Sequence, residues 1–173
     1  MPTHVPLEQP ITAQVIQFVH GLHNQLDQRL AGLVAARTDE WLERYPGPVF
    51  RRTLPLSLKA KYQGAKAVTL DGQPLHAAIW LTVTSTIGAP DYHLDIRIDG
   101  PRCRLRHRFP DQADGTMRIT LANMIRMAAA AAESSILMSQ GRIGVTGDAF
   151  LLARFPGLFG LPSRPILPTQ PNF

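Results

Sequence analysis

The spacing of apolar residues changes twice along the chain, and this constrains the fold more than any other feature. From Ile11 onward, apolar residues recur every three or four positions, which predicts an amphipathic helix. Further along they alternate with polar residues, which predicts β-strands, and from Leu121 the helical spacing returns. The leading helical stripe consists of Ile11, Val15, Val19, Leu22, Leu26, Leu30 and Leu33.

A short second helix is predicted after this stripe. Thr38 or Asp39 is suited to cap its beginning, and Pro46-Gly47-Pro48 is expected to stop it. The segment 54–58 alternates as a strand does, although Pro55 argues against a central strand there.

The middle and the end of the chain predict a sheet followed by helices. Asp71-Gly72 and Asp99-Gly100 are turn signals between strands. We therefore expect an α+β fold in which an antiparallel or mixed sheet of about five strands is covered on one face by helices, with an N-terminal helical arm. The predicted elements are strands at 76–86, 92–98, 102–109 and 116–120, a helix from Leu121 through the alanines to Ala132, a strand at 143–145, and a helix that Asp148 caps.

Composition excludes several classes of protein. The 173 residues are 45% hydrophobic, which suits one domain with a real core. Cys103 is the single cysteine, so no intramolecular disulfide and no cysteine-rich metal site is expected. The N-terminal residues lack the pattern of a secretory signal, and no apolar run is long enough to span a membrane. We therefore expect a cytoplasmic protein, with a place at the membrane periphery as an open alternative.

The net charge of +5 and the pI near 10.0 suggest an anionic partner. Nucleic acid, an anionic lipid surface and an acidic protein all fit this charge, and the charge does not choose among them.

An ordered series of motifs between His76 and Phe159 is more specific. The strand DYHLDIRIDGP ends in a glycine turn, and Ala113-Asp114 precedes a short strand. Thr120 then opens a helix, and residues 141–148 have the form G-x-[IL]-x-[VIL]-x-G-D. In this order the motifs resemble the sterol carrier protein-2 family. The resemblance implies an SCP2-like lipid-binding domain at 49–160, preceded by an arm and helices at 1–48 and followed by a proline-rich tail at 161–173.

The resemblance also implies a tunnel between sheet and helices for sterols, fatty acyl chains or isoprenoid-like lipids. Methionines suit an adaptable wall, and the alanines 128–132 would leave volume for a ligand. A closely packed core without a cavity is the alternative. His107 is expected to point inward, either to bond the polar head of the ligand or as a hydrogen-bonded core residue. The apolar residues that would line the tunnel are Leu121, Met124, Ile125, Met127, Ala128, Ile136, Leu137, Met138, Phe150, Leu151, Phe155, Leu158 and Phe159.

The strand at 102–109 is unusual because arginine occupies every second position. Side chains alternate between the two faces of a strand, so Arg102, Arg104, Arg106 and Arg108 are expected on one face. Two interpretations remain open. In one, the arginines pair across a hairpin with the aspartates at 91, 95 and 99; in the other, they dock on anionic membrane headgroups or an acidic partner.

These observations together favour a carrier of a hydrophobic ligand rather than an enzyme. The chain contains no H-E-x-x-H, no G-x-S-x-G and no P-loop, and we expect neither a cofactor nor a metal. Relatives imply a narrower role as an accessory factor that presents a lipid substrate to enzymes such as those of ubiquinone biosynthesis. The first helix offers a surface for a homodimer or a partner enzyme.

The alternative function is a module that binds nucleic acid or an acidic protein through the 102–108 strand. Nucleic acid is disfavoured because aromatic residues do not interleave with the arginines, as stacking platforms require.

Overall fold

Helices precede and follow a five-stranded sheet along the chain. The computed structural model describes residues 28–109 and 111–161. The elements are α1 (Gln28–Ala35), α2 (Asp39–Arg44), α3 (Gly47–Lys61), a 3-10 turn (Gly64–Lys66), β1 (His76–Thr84), β2 (Tyr92–Asp99), β3 (Arg102–Arg106), β4 (Gly115–Thr120), α4 (Leu121–Ala128), α5 (Ser134–Ser139), β5 (Ile143–Gly147), α6 (Ala149–Ala153) and α7 (Phe155–Leu158).

The sheet is mixed, with strand order β3-β2-β1-β4-β5. β1 pairs antiparallel with β2, β2 with β3, and β4 with β5, whereas β1 and β4 are parallel neighbours. The expected α+β fold with a five-stranded sheet is confirmed. The parallel pair arises because the chain between β3 and β4 crosses over the sheet instead of turning back beside β3.

The two faces of the sheet differ in character. The inner face carries apolar residues, such as Ile79 and Leu81 of β1 and Ile96 of β2, and the helices cover it. The outer face carries polar and charged residues, among them Asp99 and Arg102, which are cross-strand partners. Alternation along each strand produces this separation because successive side chains point to opposite faces.

The first two described helices belong to the same core as the sheet. Val34 of α1 and Leu42 of α2 are fully buried in the single large apolar cluster. Thr38 caps α2, its hydroxyl accepting a hydrogen bond from the N–H of Trp41 at 3.2 Å, as expected. Most of the leading stripe lies outside the described residues. At its end, Leu30 is partly buried and Leu33 is exposed.

The second helix ends before Pro46-Gly47-Pro48 as predicted, but the strand predicted at 54–58 was wrong. Pro46-Gly47-Pro48 begins helix α3 rather than only ending α2, because proline is tolerated in the first turn, where no helical N–H bond is lost. Residues 54–58 are helical, and Leu54 and Leu58 are buried one turn apart on the same face as Phe50.

No helix among the described residues is both long enough and apolar enough to cross a membrane.

Candidate ligand-binding site

The residues predicted to line a tunnel lie mostly in the buried apolar layer between the sheet and the helices. Thr120 begins α4, its hydroxyl accepting a hydrogen bond from Asn123 N–H at 3.2 Å, and this cap presents the apolar face of α4 to β1 and β4. Met138 packs partly buried against the layer, whereas Ile136 and Phe150 are 48% and 59% exposed. The buried members are Leu121, Met124, Ile125, Met127, Ala128, Leu137, Leu151, Phe155, Leu158 and Phe159.

Helix α4 ends earlier than the alanine run predicted. Ala130 has φ +56°, its N–H donates to Met127 O at 3.1 Å, and Ala131 N–H donates to Arg126 O at 2.9 Å. This pair of bonds is a Schellman motif, which normally places glycine at the left-handed position. The alanine is tolerated there despite its side chain, so the chain turns into α5 instead of extending α4.

A surface cavity of about 420 Å³ lies where the sheet, the 69–71 turn and α6 meet. Its apolar lining includes Leu70, Leu75 and Ala77, together with the predicted residues Phe150 and Leu151. Leu70 is 93% exposed, so it leaves a large apolar side chain in contact with water. The volume lies within the range of small-molecule sites in proteins.

The polar residues around this cavity are engaged in holding the backbone. Asp114 Oδ2 accepts a hydrogen bond from Ala78 N–H at 2.7 Å. Asp148 caps α6 as expected, its Oδ1 accepting from Leu151 N–H at 3.0 Å. Arg154 donates to Lys66 O at 2.8 Å. The cavity therefore combines an apolar lining with polar groups that already have partners.

His107 does not point inward as predicted. β3 ends at Arg106, so the alternation stops there, and His107 is exposed with its Nε2 3.3 Å from the hydroxyl of Tyr92. Its ring contacts Tyr92 edge to face at 4.9 Å between centroids. His107 is thus exposed beside Tyr92, a partly buried residue at the margin of the apolar layer.

The arginine strand follows its predicted alternation as far as β3 extends. Arg102, Arg104 and Arg106 are exposed on the outer face, and Cys103 is buried on the inner face. Arg108 lies beyond the end of β3, and its Nε donates to Asp95 Oδ2 at 2.9 Å.

The aspartates pair differently from the predicted ladder. Asp95, whose side chain is completely buried, binds both Arg108 and Arg97 at 2.9 Å. Asp99 lies opposite Arg102 in the register, but its Oδ1 contacts His76 Nδ1 at 2.7 Å. The pairing prediction was therefore right for Arg108 and Asp95 and wrong for the other two aspartates.

Asp91 does not pair with the arginine strand either. Its carboxylate lies 3.7 Å from Arg118 of β4. Among the described residues, Arg102, Arg104 and Arg106 make no ion pair shorter than 4 Å.

A second groove, of about 630 Å³, runs along the free edge of β3. Lys59 and Tyr62, at the C-terminal end of α3, line one side, and the arginines 102 and 104 line the other. The Tyr62 hydroxyl donates to Gly100 O at 2.6 Å, and burial raises the pKa of Tyr62 to about 12. Burial likewise raises the pKa of Cys103 to about 11, with nearby Lys59 acting in the opposite direction.

Sequence reasoning missed the residues that other segments bring to these surfaces. Leu70, Leu75 and Ala77 lie near the start of β1, far in sequence from α6. Trp80 and His93 stack beside Phe109 on the outer face, with ring centroids 4.4 to 5.7 Å apart. The available signal for the cavity was Leu70, an apolar residue directly before the Asp71-Gly72 turn, where polar residues are usual.

No group of three or more histidines, cysteines, aspartates or glutamates that could hold a metal occurs in residues 28–109 and 111–161.

Comparison with known sequences identifies the family. The profile of the SCP-2 sterol transfer family matches residues 60–160, which is more than half of the chain. The chain belongs to the SCP-2 sterol transfer family. Domains of this family are generally non-catalytic carriers, and membership indicates binding of a lipid or other hydrophobic ligand. No curated protein matches the chain.

Solved structures share the fold of this SCP-2 family chain. The stereoselective inverting sec-alkylsulfatase Pisa1 from Pseudomonas sp. has a TM-score of 0.51 at 18% identity. That match covers 76% of this chain but only 18% of the sulfatase, so the likeness concerns one part of a much longer protein.

Two smaller proteins also match. Sterol Carrier Protein 2 Like 2 from Aedes aegypti is 18% identical, with 65% of this chain and 99% of that chain covered and a TM-score of 0.48. The ubiquinone synthesis protein UbiJ-SCP2 is 12% identical, with 65% and 95% covered and a TM-score of 0.46.

Proposed function

We propose that the chain binds one lipid-like molecule between the sheet and its helix layer and carries it without chemical change. The observation that supports this most directly is the 420 Å³ cavity, because it joins the apolar layer at Leu151 to exposed apolar side chains at Leu70 and Phe150. The cavity serves as the mouth through which the acyl or isoprenoid chain enters the layer.

Burial of apolar surface supplies the affinity. Leu70 and Phe150 are exposed, and a bound hydrocarbon would cover both. Each square ångström of apolar surface removed from water contributes about 25 cal/mol. Met124 and Met127 lie in the layer behind the mouth, and methionine repacks readily around chains of different shape.

The polar groups at the mouth support carriage rather than catalysis. Asp114 and Asp148 accept hydrogen bonds from backbone N–H groups, and Arg154 donates to a backbone carbonyl. A general base needs a lone pair directed at the substrate. Asp114 Oδ2 and Asp148 Oδ1 instead accept backbone bonds that hold β1 and α6 in place.

Filling the mouth tests this proposal. Ala77 lines the cavity from the start of β1, and Ala77→Phe would place a ring in it. We expect this variant to bind a fluorescent fatty acid at least tenfold more weakly than the wild type, measured by titration. Ala153→Phe is the matched control, because Ala153 is exposed on α6 and does not line the cavity.

The control variant should bind within twofold of the wild type. Equal affinity of the two variants would show that the ligand does not enter at this mouth. A wild-type protein that takes up neither fatty acids nor sterols, and that yields no lipid in native mass spectrometry and organic extraction, would overturn the proposed function.

The ubiquinone role is a narrower proposal within this function. It is supported by family membership alone, because the resemblance extends to stand-alone bacterial factors of ubiquinone biosynthesis. The co-purified ligand tests it. A polyprenylated quinone or its precursor would support the role, whereas ordinary phospholipids alone would contradict it.

A further inference from the structure

The outer face of the sheet, opposite the helix layer, carries an excess of unpaired positive charge. Arg102, Arg104 and Arg106 project from β3 and make no ion pair among the described residues. Arg97 and Arg108 share the single carboxylate of Asp95, which neutralises only one of their two positive charges. The free arginines form a row along the edge of the sheet, since β3 is the outermost strand.

An aromatic cluster lies beside this row. The ring of Phe109 contacts His93 at 4.4 Å and Trp80 at 5.6 Å between centroids. Phe109 remains 65% exposed, so most of an apolar ring faces water next to the guanidinium groups.

The position of Phe109 is fixed by its neighbours. Arg108 is held by the buried Asp95, which lies directly opposite Trp80 in the sheet register. His93 Nδ1 in turn accepts a hydrogen bond from the Trp80 indole N–H at 3.3 Å. The ring is therefore held over the sheet by an ion pair and two aromatic contacts.

We propose that this outer face docks on the surface of a membrane rich in anionic phospholipid. Guanidinium groups bind phosphate, and basic residues near an anionic surface each contribute about 1 kcal/mol of attraction. Tryptophan and phenylalanine enter the headgroup region, where the ring is removed from water. The row of arginines and the Phe109 ring supply these two contributions side by side.

The geometry favours a membrane over nucleic acid. Bases stack on aromatic rings whose faces are free. Here the Trp80 and Phe109 rings meet edge to face at 69° and His93 packs against both, so the rings form one cluster and are not spaced along the arginine row as successive stacking platforms would be. An exposed edge of an apolar ring suits insertion between lipid headgroups.

Vesicle binding by the full chain tests the proposal. Trp41→Phe leaves Trp80 as the sole tryptophan, since the chain has two. With vesicles of phosphatidylcholine containing 30 mol% phosphatidylglycerol, we expect a blue shift of Trp80 fluorescence and co-sedimentation of the protein. Pure phosphatidylcholine vesicles should bind far more weakly, and 0.5 M salt should release the protein, because salt screens exposed charges.

Two sets of substitutions with equal change of net charge locate the docking face. The docking set is Arg102→Gln, Arg104→Gln and Arg106→Gln, and we expect it to weaken binding about 100-fold. The control set is Arg44→Gln, Arg52→Gln and Arg142→Gln, whose arginines are exposed on helices α2 and α3 and ahead of β5. It should weaken binding less than fivefold. Phe109→Ser should abolish most of the blue shift.

Several outcomes would overturn the proposal. Equal losses in the two sets would show that net charge alone acts. Self-association of the docking set with unchanged vesicle affinity would show that the arginines only protect the edge strand from pairing. Salt-dependent binding of a single-stranded RNA oligonucleotide without binding to vesicles would assign the face to nucleic acid. The test needs no cargo, so its result is independent of whether the cavity takes up a lipid.

Discussion

Asp114 joins three strands through hydrogen bonds of both its backbone and its side chain. Its N–H donates to Ala78 O at 2.8 Å, and its Oδ2 accepts from Ala78 N–H at 2.7 Å. Its carbonyl accepts from Asp148 N–H at 2.9 Å, directly after Gly147. The residue thus links β1, the start of β4 and the end of β5. The conformation of Gly147 is what permits this close approach.

Substitution of Gly147 tests the close approach. Gly147 has φ +86°, and a Cβ there would lie 2.5 Å from Asp114 O. Gly72 has nearly the same φ, +82°, with nothing within 4 Å of the added Cβ. We expect Gly72→Ala to cost about 1 kcal/mol from the backbone conformation alone.

Gly147→Ala should cost about 3 kcal/mol, because the overlap with Asp114 adds to the same backbone strain. Urea denaturation of both variants measures the difference. Equal losses would show that the contact with Asp114 relaxes at no cost.

Because Cys103 is buried, we expect the unfolding free energy of the protein to depend on pH in the alkaline range. Burial raises the pKa of its thiol from 9.0 to about 11 in the folded protein. The folded state therefore holds a proton that the unfolded state releases. The resulting stabilisation is fully present below about pH 9 and is lost as the pH rises towards 11.

Replacing this thiol should flatten the pH profile. Between pH 8 and pH 11 we expect the wild type to lose roughly 1–2 kcal/mol more of its unfolding free energy than Cys103→Ala loses. Denaturation at several pH values measures this. Tyr92, whose pKa burial raises to about 12, contributes to both proteins alike, whereas the pKa of Tyr62 is raised first by burial and then by the charge of Cys103, so part of the expected difference arises through Tyr62. Parallel profiles would contradict the assignment to Cys103.

Among the elements, helix α3 shows how tertiary packing overrides local sequence preference. Pro55 lies inside this 15-residue helix, where it cannot donate the usual hydrogen bond to Arg51 O. Phe50, Leu54 and Leu58 are buried on one face, and this burial outweighs the lost bond. The alternation at 54–58 was misleading because a segment of five residues fits both periods.

Removal of this proline should stabilise the helix. Pro55 is only partly buried, so Pro55→Ala loses little packing and restores a backbone donor. We expect the unfolding free energy to rise by about 1–3 kcal/mol. Thermal and urea denaturation would measure the change. A decrease would show that α3 needs the bend at residue 55 to fit its neighbours.

At the scale of the whole molecule, the sequence predicted the features that depend on residues close together in the chain, namely strands and helix caps. Alternation placed the strands at 92–98 and 116–120 correctly, and the caps Thr120 and Asp148 lie where their side chains predicted. Each of these features is determined by residues that lie within a few positions of one another in the sequence. Ten of the apolar residues that the family resemblance singled out are buried as well.

Features that need segments distant in sequence could not be predicted in this way. The cavity brings Leu70 and Ala77 to Phe150, and the aromatic cluster brings Phe109 to Trp80. His107 was misplaced because its orientation depends on where β3 ends. β3 ends at Arg106, and the alternation of the sequence continues beyond that residue without marking the end.

The parallel pairing of β1 with β4 sets the order in which the sheet can assemble. β1, β2 and β3 are successive antiparallel neighbours, so they can pair as soon as they leave the ribosome. The other edge of β1, from Ile79 to Thr84, stays open until Gly115–Thr120 arrives. An open edge on an apolar strand recruits other chains. We therefore expect the nascent protein to be most prone to aggregation during this interval, until β4 pairs with β1.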